Sequence, residues 1–445
     1  MNVKTEFQET FHVQDITTSA MSDAITDWYD LYYGTNLPDD EDGCQRLPVT
    51  VVNKIQKAVF AEYEADSKNE FVKECLDSID KKKKKIIQQA LIGGCCFIKP
   101  IMTDPISYVV VPRNNCIILG RDTEDNVIDI GLTEQCEEDG YYYTLMERRY
   151  VEDDRLIIES KLFKSDKREN RGSQVPLDTL PRYEGLDDVT ELAIDNIGMA
   201  EMNCPAENCV DGSDDPVSVY AAATELIHSI NINEAQINGE FERGMSRIIA
   251  SADYLKNTNG TRALVDDVFT GIDDDPENVG IQIFSPAFRE QSYLARKREY
   301  LRNIESMIGL KRGLLSEVEM AERTATEITS SAGDYNLTVM DFQEMWETSV
   351  KQLVEITAQL AGLYHIKSVN VNDEDIVMSW GNGVLYDRDK TWAEYLQMAA
   401  AGLIKPEIAV AWYFNLDWKN DKDLAKIREE YMPQMAQLLE GEQTQ

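Results

Sequence analysis

Residues 285–363 have the sequence SPAFREQSYLARKREYLRNIESMIGLKRGLLSEVEMAERTATEITSSAGDYNLTVMDFQEMWETSVKQLVEITAQLAGL, and this stretch decides the fold. Apolar residues recur every three or four positions in two runs, which predicts one helix from Arg289 to Ile308 and another from Thr324 to Leu363. A short break, Gly309 to Ser316, separates the runs. The repeating apolar positions are Tyr293, Tyr300, Ile304 and Met307 or Ile308 in the first run, and Val339, Phe342, Trp346, Val350, Leu353, Ile356 and Leu360 in the second. We therefore expect two long helices joined by an exposed loop.

Upstream of this stretch, the pattern predicts helices followed by strands. A short helix from Ser22 to Tyr33, with Ser22 as its cap, is expected to end at Gly34. Two further helices are expected at 49–63 and 71–91. The apolar period then changes to two, which predicts a mostly antiparallel sheet region with turns at Asn114-Asn115 and Asp139-Gly140. Its strands are expected at 96–102, 107–111, 116–119, 127–132, 141–150 and 155–163. The segment 176–208 is expected to be rich in loops.

The remaining segments alternate between helices and short strands. A long helix is predicted at 216–242, followed by strands at 247–251 and 281–284 around an acidic segment with Asp273, Asp274 and Asp275. One alternating strand is expected within Ser368 to Trp380. Three helices are then predicted at 389–401, 406–414 and 420–431, with Gly402 ending the first and Pro406 starting the second. The fold class predicted from this pattern is α+β.

The charge balance of the chain is strongly acidic. Its 445 residues include 81 acidic and 44 basic side chains, which gives a formal net charge of −37. Because binding to phosphate needs cations, this excess of acid argues against a nucleic-acid clamp and against attachment to an anionic membrane surface. It is compatible with a wall past which DNA slides, since repulsion limits sticking.

The sequence predicts a soluble protein of a reducing compartment. Its eight cysteines lack the spacing of a small disulfide scaffold. The first residues have no apolar core of a signal peptide. The longest apolar patch, Ile86 to Ile98, is too short and too interrupted to cross a bilayer. We expect no membrane segment.

Motifs of catalysis and cofactor binding are not found in the sequence. It has no Gly-Lys dipeptide and therefore no phosphate-binding loop of an ATP motor. The three histidines, His12, His228 and His365, lack metal-ligand spacing, and Cys204 and Cys209 have no second cysteine pair to complete a zinc site. We predict no catalytic, cofactor or metal site.

Two charged patterns have a functional and a simpler interpretation. Asp154, Glu159 and Lys161 have the spacing of a metal-dependent nuclease site, in which two carboxylates hold Mg²⁺. The simpler interpretation, a strand with charged residues facing water, is favoured. The lysine run Lys81 to Lys85 is compatible with a DNA contact, but no aromatic residue is interleaved to stack on bases, and a solvated helix face is favoured.

The order of motifs resembles a known family. A basic helix, the Gly309-Leu310 turn, the motif Thr324-Ala325-Thr326-Glu327-Ile328 and a long amphipathic helix follow one another, as in the portal proteins of tailed bacteriophages. The similar subset is the SPP1 type, from phages of Gram-positive hosts. The turn at 212–214 and the step at 400–404 also match the layout of that family. The resemblance spans nearly the whole chain. It is weakest at 1–215, the wing of a portal subunit, and at 251–284, its clip.

The resemblance implies a division of the chain into the parts of a portal subunit. These are a wing at 1–215, a stem helix at 216–250, a strand-containing clip at 251–284, a returning stem helix at 285–310, a tunnel loop at 311–323, a spine helix with a wing strand at 324–380, and a helical crown with a tail at 381–445.

The resemblance also implies a function, a set of partners and a location. The chain is expected to form a ring of twelve copies at one capsid vertex, with double-stranded DNA passing through the hole. Terminase, head completion or adaptor proteins, and the major capsid and scaffolding proteins are the expected partners, without a membrane. The expected location is the virion, with assembly in the host cytoplasm.

Two groups of charged residues follow from this expectation. The mixed-charge loop is expected at the narrowest point of the channel; its residues are Lys311, Arg312, Glu317, Glu319, Glu322 and Arg323. Its charges either touch the phosphates briefly or are only solvated, and both interpretations stay open. The basic face of the returning stem helix, Arg296, Arg298 and Arg302, is expected to pair with acidic residues of a neighbouring subunit. Two other functions remain as alternatives: a DNA-processing nuclease or terminase-like enzyme, and a head–tail adaptor.

Overall fold

The computed structural model describes residues 3–41, 43–243, 247–250, 255–258, 261–264, 281–284, 289–316, 325–367, 371–372, 375–380, 388–414, 416 and 421–432. The chain divides into two compact units, Met1–Gly381 and Asn382–Gln445. Helices and strands both contribute extensively, so the α+β class is confirmed.

Five helices precede the main strands of the first unit. They are α1 (Val3–Phe11), α2 (Ser19–Tyr33), α3 (Leu47–Val59), α4 (Glu70–Asp80) and α5 (Lys83–Gly93). Helix α1 was not expected. Helix α2 begins three residues before the predicted start, because the side chain of Thr18 accepts a hydrogen bond from the backbone N–H of Met21 and acts as the cap. It ends at Gly34, as predicted, where φ is +66° and glycine avoids the strain of a left-handed residue.

The single helix predicted over 71–91 is wrong. The structure has two helices, α4 and α5, which meet at Lys81 and Lys82. Five successive lysines repel one another, and no side chain caps the start of α5, so continuing one helix through this point is unfavourable. The prediction for 49–63 also ends too late. Phe60 and Tyr63 turn towards the ring of Trp346, and Glu64–Asp66 forms a short strand, β1.

Two antiparallel sheets form the strand region, which confirms the predicted arrangement. The smaller has the order β10-β2-β3, with β2 at Cys95–Ile101, β3 at Ser107–Pro112 and β10 at Ala200–Asn203. The larger has the order β4-β5-β6-β7-β8, with β9 also paired to β7. Its strands are β4 (Cys116–Arg121), β5 (Val127–Glu138), β6 (Tyr141–Glu152), β7 (Arg155–Ser165), β8 (Ser173–Val175) and β9 (Val189–Leu192). Strands β9 and β10 lie in the segment that was expected to be mostly loop.

Tight turns set the register of the larger sheet. Asp139 and Gly140 join β5 to β6 with φ values of +51° and +76°. Asp153 and Asp154 join β6 to β7 with φ values of +50° and +58°. Two successive positive φ angles match the twist of antiparallel strands, which makes such two-residue hairpins favourable.

A buried ion cluster joins the two sheets. Lys99 on β2 donates to both carboxylate oxygens of Glu147 on β6, at 2.8 and 2.9 Å, and Arg149 Nε donates to the same carboxylate at 2.6 Å. Burial acts to raise the pKa of Glu147, but Arg149 and Lys99 outweigh it and lower that pKa to about 2. The carboxylate therefore stays charged and holds the two cations between the sheets.

The long helices follow the predicted order. They are α6 (Thr224–Arg243), α7 (Glu290–Ile308) and α8 (Ala325–Leu363). Helix α6 begins later than the expected residue 216, because the preceding segment is fastened to other elements: Ser218 Oγ donates to the Leu91 carbonyl and the Tyr220 hydroxyl donates to the Trp28 carbonyl. Strands β11 (Arg247–Ala250) and β14 (Ile281–Phe284) pair antiparallel at the predicted positions. The hairpin of β12 (Leu255–Thr258) and β13 (Thr261–Leu264) was not expected.

Several predicted features lie outside the described residues. These are the aspartates at 273–275, residues 368–370 and 373–374 of the segment with the predicted strand, and residues 433–445 at the end of the predicted crown and tail. The rest of the Ser368–Trp380 strand appears as β15 (Val377–Ser379), which pairs antiparallel with β1.

Two of the five apolar cores in the described part of the first unit involve the long helices. One contains residues of α2, α3, α6 and the end of α7, among them Trp28, Val52 and Ile304. The other places α8 against α4 and the smaller sheet, with Trp346 fully buried at its edge. The rings of Phe60 and Trp346 meet edge-on at a centroid distance of 4.9 Å. Helix α8 thus contributes Val339 and Phe342 to the first core and continues along the second.

The described part of the second unit contains three short helices. They are α9 (Arg388–Ala400), α10 (Pro406–Phe414) and α11 (Asp421–Tyr431), close to the predicted bounds. Gly402 has a φ of +72° and follows the end of α9, as expected. Ala411, Leu424 and Ile427 form its core, and Arg428 Nε donates to Glu407 at 3.0 Å. Within the described chain, none of the helices combines the length and apolar character needed to cross a bilayer.

Candidate functional site: the long helices and the loop between them

Helices α6 and α7 lie antiparallel and are joined by ion pairs. Lys297 Nζ on α7 contacts Glu234 on α6 at 2.5 Å, and Arg289 pairs with Glu240 closer to the far end of α6. Asn233 Nδ2 also donates to the backbone carbonyl of Tyr293 at 3.4 Å. The chain's own acidic residues therefore neutralise part of the basic charge of α7.

The three arginines of the predicted basic face are all exposed. The guanidinium of Arg296 lies over the ring of Tyr300 at 4.4 Å, which holds this side chain against its own helix. Arg298 and Arg302, one turn apart, share a side of α7 that is different from the side of Arg296. Their expected pairing with a neighbouring subunit stays a prediction.

A buried carboxylate fixes the beginning of the loop after α7. Glu305 is fully buried in the last turn of α7. Its Oε1 accepts backbone N–H bonds from Gly313, Leu315 and Ser316 at 3.0, 2.6 and 2.9 Å, and its Oε2 accepts from the Ser316 hydroxyl at 2.8 Å. Four donors on one carboxylate fold residues 313–316 back onto the helix that they follow.

The end of α7 is also fixed against α8. Gly309 has a φ of +73°, and a Cβ at this position would lie 2.6 Å from the Thr338 hydroxyl. Ile304 and Ile308 of α7 share the first core with Val339 and Phe342 of α8. The position therefore requires glycine both for its backbone angle and for the close approach of α8.

Two of the predicted loop residues lie in the described part of the chain. Lys311 is half-buried and Arg312 is exposed, immediately before the segment that Glu305 holds. Glu317, Glu319, Glu322 and Arg323 lie outside the described residues.

Glu305, Arg289 and Lys297 are structural residues of this site that were not predicted from the sequence. One signal for Glu305 was present: an acidic residue in the last turn of a helix opposes the helix dipole, which indicates a specific partner. No comparable signal marked Arg289 or Lys297, since their partners Glu240 and Glu234 are 49 and 63 residues away in sequence.

The three residues with nuclease-like spacing do not converge. Asp154 lies in the β6–β7 turn, Glu159 accepts a hydrogen bond from the Tyr150 hydroxyl at 3.0 Å, and Lys161 Nζ donates to the Thr10 carbonyl at 3.1 Å. Lys161 is therefore used to fasten α1 rather than to face water, which corrects that part of the simpler interpretation. No group of three metal-binding side chains occurs among the residues that the structure describes.

His228 on α6 is held between two carboxylates. Its Nε2 lies 3.0 Å from Asp27 and its Nδ1 lies 2.6 Å from Glu41, which is buried. The hydrogen bond to Asp27, followed by the attraction of Asp27 and Glu41, raises the pKa of His228 to about 9 despite partial burial. The imidazolium thus ties α6 to the helical N-terminal region and is structural.

Comparison with known proteins identifies the family. A family model described as phage portal protein, SPP1 Gp6-like, matches residues 50–434. A search of curated proteins found no match. Because the family match spans most of the chain, this protein belongs to the SPP1 Gp6-like phage portal proteins, a structural family. The resemblance inferred from the motif order is confirmed.

Proposed function

We propose that this chain forms a ring of about twelve copies at a capsid vertex and is the conduit for DNA during packaging and ejection. The family match over residues 50–434 is the observation that carries this proposal. The helix–loop–helix formed by α7, residues 309–316 and α8 supports it, because Glu305 and Gly309 give the loop a defined position at the end of two long helices. A channel wall needs such a fixed support, since loosely held groups do not keep a constriction in place.

The proposed parts of the subunit keep the predicted division. The wing occupies 1–215. The segment 324–380 contains the spine helix and, after it, a further strand of the wing. The stem helices at 216–250 and 285–310 flank the clip at 251–284. The tunnel loop occupies 311–323, and the crown and tail occupy 381–445. In a stem that leads out to a clip and returns, the outgoing and returning elements run antiparallel. Helices α6 and α7 and strands β11 and β14 do so.

In this proposal, the tunnel loop touches DNA only briefly. Lys311 and Arg312 alternate with Glu317, Glu319, Glu322 and Arg323 along the sequence. Exposed and screened charges of both signs attract phosphate weakly, so a duplex passes without being held. The basic face of Arg296, Arg298 and Arg302 pairs with acidic residues of the adjacent subunit.

The proposed partners follow from the position at the vertex. A separate ATP-driven terminase supplies the packaging motor, and head completion or adaptor proteins bind after packaging. Major capsid and scaffolding proteins surround the ring during assembly in the host cytoplasm, and the finished ring is part of the virion.

The test is the native mass of the purified full-length chain by light scattering, followed by electron microscopy. We expect a closed ring of about a dozen copies with a hole wider than the roughly 20 Å of duplex DNA, a width that follows from its groove dimensions. A chain that stays monomeric or dimeric, also when scaffolding protein is added, would contradict the proposal.

A DNA-cutting enzyme is the alternative to exclude. Its test is plasmid cleavage with Mg²⁺, using the wild type and Glu159→Ala. Cleavage that Glu159→Ala abolishes would support the enzyme and contradict a purely structural role. We expect no cleavage by either protein, because Glu159 and Lys161 are bonded to different neighbours.

A further inference from the structure

The strongest local concentration of basic charge in the described chain lies on α3 and at the junction of α4 and α5. Helices α3 and α5 are joined by a hydrogen bond of 2.6 Å from Gln56 Nε2 to the Lys84 carbonyl. Exposed lysines surround this contact, and we call them the lysine patch: Lys54, Lys57, Lys81, Lys82, Lys84 and Lys85. The seventh lysine of the region, Lys83, pairs with Asp80 at 2.6 Å and lies over the rings of Phe60 and Tyr63.

The positive charge of the lysine patch is not neutralised by ion pairs within the described part of its own subunit. Within the described ranges, no carboxylate lies within ion-pair distance of any of its six ammonium groups. The nearby acids are Asp77, Glu74 and Glu62, besides Asp80, which is taken by Lys83. An excess of positive charge is thus left on the surface of a chain whose net charge is −37.

The lysines of the patch destabilise the start of α5, and a negatively charged partner would offset this destabilisation. Lys83, Lys84 and Lys85 occupy the first turn of α5, which contains no acidic residue and has no side-chain cap at Lys82. Cations at the positive end of a helix are unfavourable, and so are successive like charges. Negative groups placed against the patch relieve both effects.

An acidic surface of the same subunit has the complementary charge. The β6–β7 turn carries Glu152, Asp153 and Asp154, which are all exposed, and Asp195 lines the same surface depression as Asp154. This depression lies beside the C-terminal end of α8, where Gln359 and Leu363 also line it. The lysine patch lies instead at the junction of α4 and α5. Opposite charges at separate places of one subunit favour head-to-tail contact between copies, the kind of contact that closes rings.

We propose that the lysine patch is a docking surface for the acidic surface of a second copy of this chain, with the β6–β7 turn as the expected counterpart. The proposal rests on the ring proposed above and adds a specific contact to it. Copies with a charge of −37 repel one another, so their assembly needs local attraction at the points of contact. Duplex DNA is the competing polyanion, but the acidity of the chain as a whole opposes it.

Isotope-mixed cross-linking tests the contact directly. Unlabelled and ¹⁵N-labelled full-length chains are mixed under assembly conditions, and a carbodiimide then links lysines to carboxylates within contact distance. Mass spectrometry is expected to find mixed-isotope peptides that join 81–85 or 54–57 to a carboxylate of the other copy, with 152–154 as the expected partner. Cross-links of the patch that join only chains of the same isotope would overturn the proposal.

A charge-matched pair of variants gives the second test. Lys81, Lys84 and Lys85 are changed to glutamine in one variant, and Lys68, Lys167 and Arg168, which are also exposed, are changed to glutamine in the control. Both lose three positive charges. We expect the patch variant to need at least a tenfold higher concentration for assembly, while the control assembles within twofold of the wild type. Neither variant should unfold at a lower temperature than the wild type.

The remaining outcomes are also decisive. If the patch variant assembles like the wild type but binds duplex DNA less well in a gel-shift assay, the patch is a DNA contact and the inference is wrong. If the patch variant and the control assemble alike, the inference is wrong whatever the DNA result. Failure of the wild type itself to form a ring contradicts the proposed function instead, and the two failures are thus distinguishable.

Discussion

At the scale of single residues, Glu305 has the largest structural effect at the candidate site. It is fully buried and accepts three backbone N–H groups and one hydroxyl from residues 313–316. A carboxylate is suited to this position because it offers several acceptor sites and no donor. The loop is therefore folded by a side chain of the helix before it.

Replacing Glu305 by alanine is expected to destabilise the chain. Glu305→Ala leaves up to four buried donors unpaired, and we expect a loss of about 2–4 kcal/mol in the free energy of unfolding. Glu305→Gln keeps one carbonyl acceptor and should lose less. Urea unfolding measures the loss in both variants. Trypsin cleavage after Lys311 and Arg312 should also become faster than in the wild type, and more so in Glu305→Ala than in Glu305→Gln.

The control for Glu305 is Glu299→Ala on the exposed side of the same helix. We expect that variant to stay within about 0.5 kcal/mol of the wild type, because substitutions of exposed residues away from special features have small effects. Equal losses for Glu299→Ala and Glu305→Ala would show that the buried hydrogen bonds contribute nothing specific.

His228 makes stability depend on pH. Its pKa is raised from 6.5 to about 9 in the folded state, so it binds a proton more tightly when folded. The resulting stabilisation is fully present below pH 6.5 and is lost as pH rises through 9. We expect a fall of about 1–2 kcal/mol across this window, because partial exposure of the pair screens the attraction.

Urea unfolding at several pH values tests this expectation. His228→Gln should remove the fall between pH 6.5 and 9, whereas His365→Gln, which changes an exposed histidine, should retain it. A profile of His228→Gln that matches the wild type would mean that other groups cause the pH dependence.

At the scale of elements, the meeting of α7 and α8 depends on the lack of a side chain at Gly309. Gly309→Ala places a Cβ against the Thr338 hydroxyl and forces a φ of +73° on alanine. We expect a loss of about 1–3 kcal/mol in unfolding free energy, since both the clash and the backbone angle are unfavourable.

A double-mutant cycle separates these two contributions. Thr338→Ala removes the hydroxyl that the new Cβ would meet, so Gly309→Ala should cost less in that background, and only the backbone strain remains. Urea unfolding of the four proteins gives the coupling energy. A coupling energy of zero would show that the clash contributes nothing and that the left-handed backbone alone requires glycine.

The sequence was sufficient for elements with strong local signals. The periodicity of α7 and α8 and the Asp139-Gly140 turn are local features, and the structure has these elements where they were expected. Short strands were missed because their pairing depends on distant partners: β1 pairs with β15, and β10 pairs with β2. The break between α4 and α5 was missed because apolar spacing continues across it, although the lysine run gave a warning.

At the candidate site, the sequence located the loop but not its supports. The Gly309-Leu310 turn marks the end of a helix through its residue types alone. The role of Glu305 depends on a chain reversal that brings 313–316 back to α7, and the pairing of Arg289 and Lys297 depends on the approach of α6. Such contacts follow from the fold and have no fixed spacing in sequence.

At the scale of the whole molecule, the N-terminal residues outside the family match are part of the core. The match begins at residue 50, yet Trp28 and Leu31 of α2 lie in the first apolar core. Phe7 of α1 occupies a slot at Gly131, where a Cβ would lie 2.5 Å from its ring. Lys161 and Arg171 donate to carbonyl groups near the end of α1. The N-terminal region therefore completes the first unit.

The net charge predicts how stability responds to salt. With a net charge of −37, the folded chain repels itself, and added salt screens that repulsion. We expect the thermal midpoint to rise by several degrees between about 20 and 300 mM sodium chloride at pH 7.5, where the Debye length shortens from roughly 20 to 6 Å. Differential scanning calorimetry measures it. A falling midpoint would mean that specific ion pairs such as Lys99–Glu147 outweigh the general repulsion.

The carboxylate of Glu305 also defines a mechanical path. A pull on Ser316 is transmitted first to the hydrogen bonds at Glu305 and then, through Ile304 and Ile308, to the core formed with α2 and α3. Force therefore reaches the helices of the N-terminal region through side chains as well as through the backbone between Gly309 and Lys311. Residues 313–316 are thus firmly held against α7, and a force on them is distributed over the folded unit.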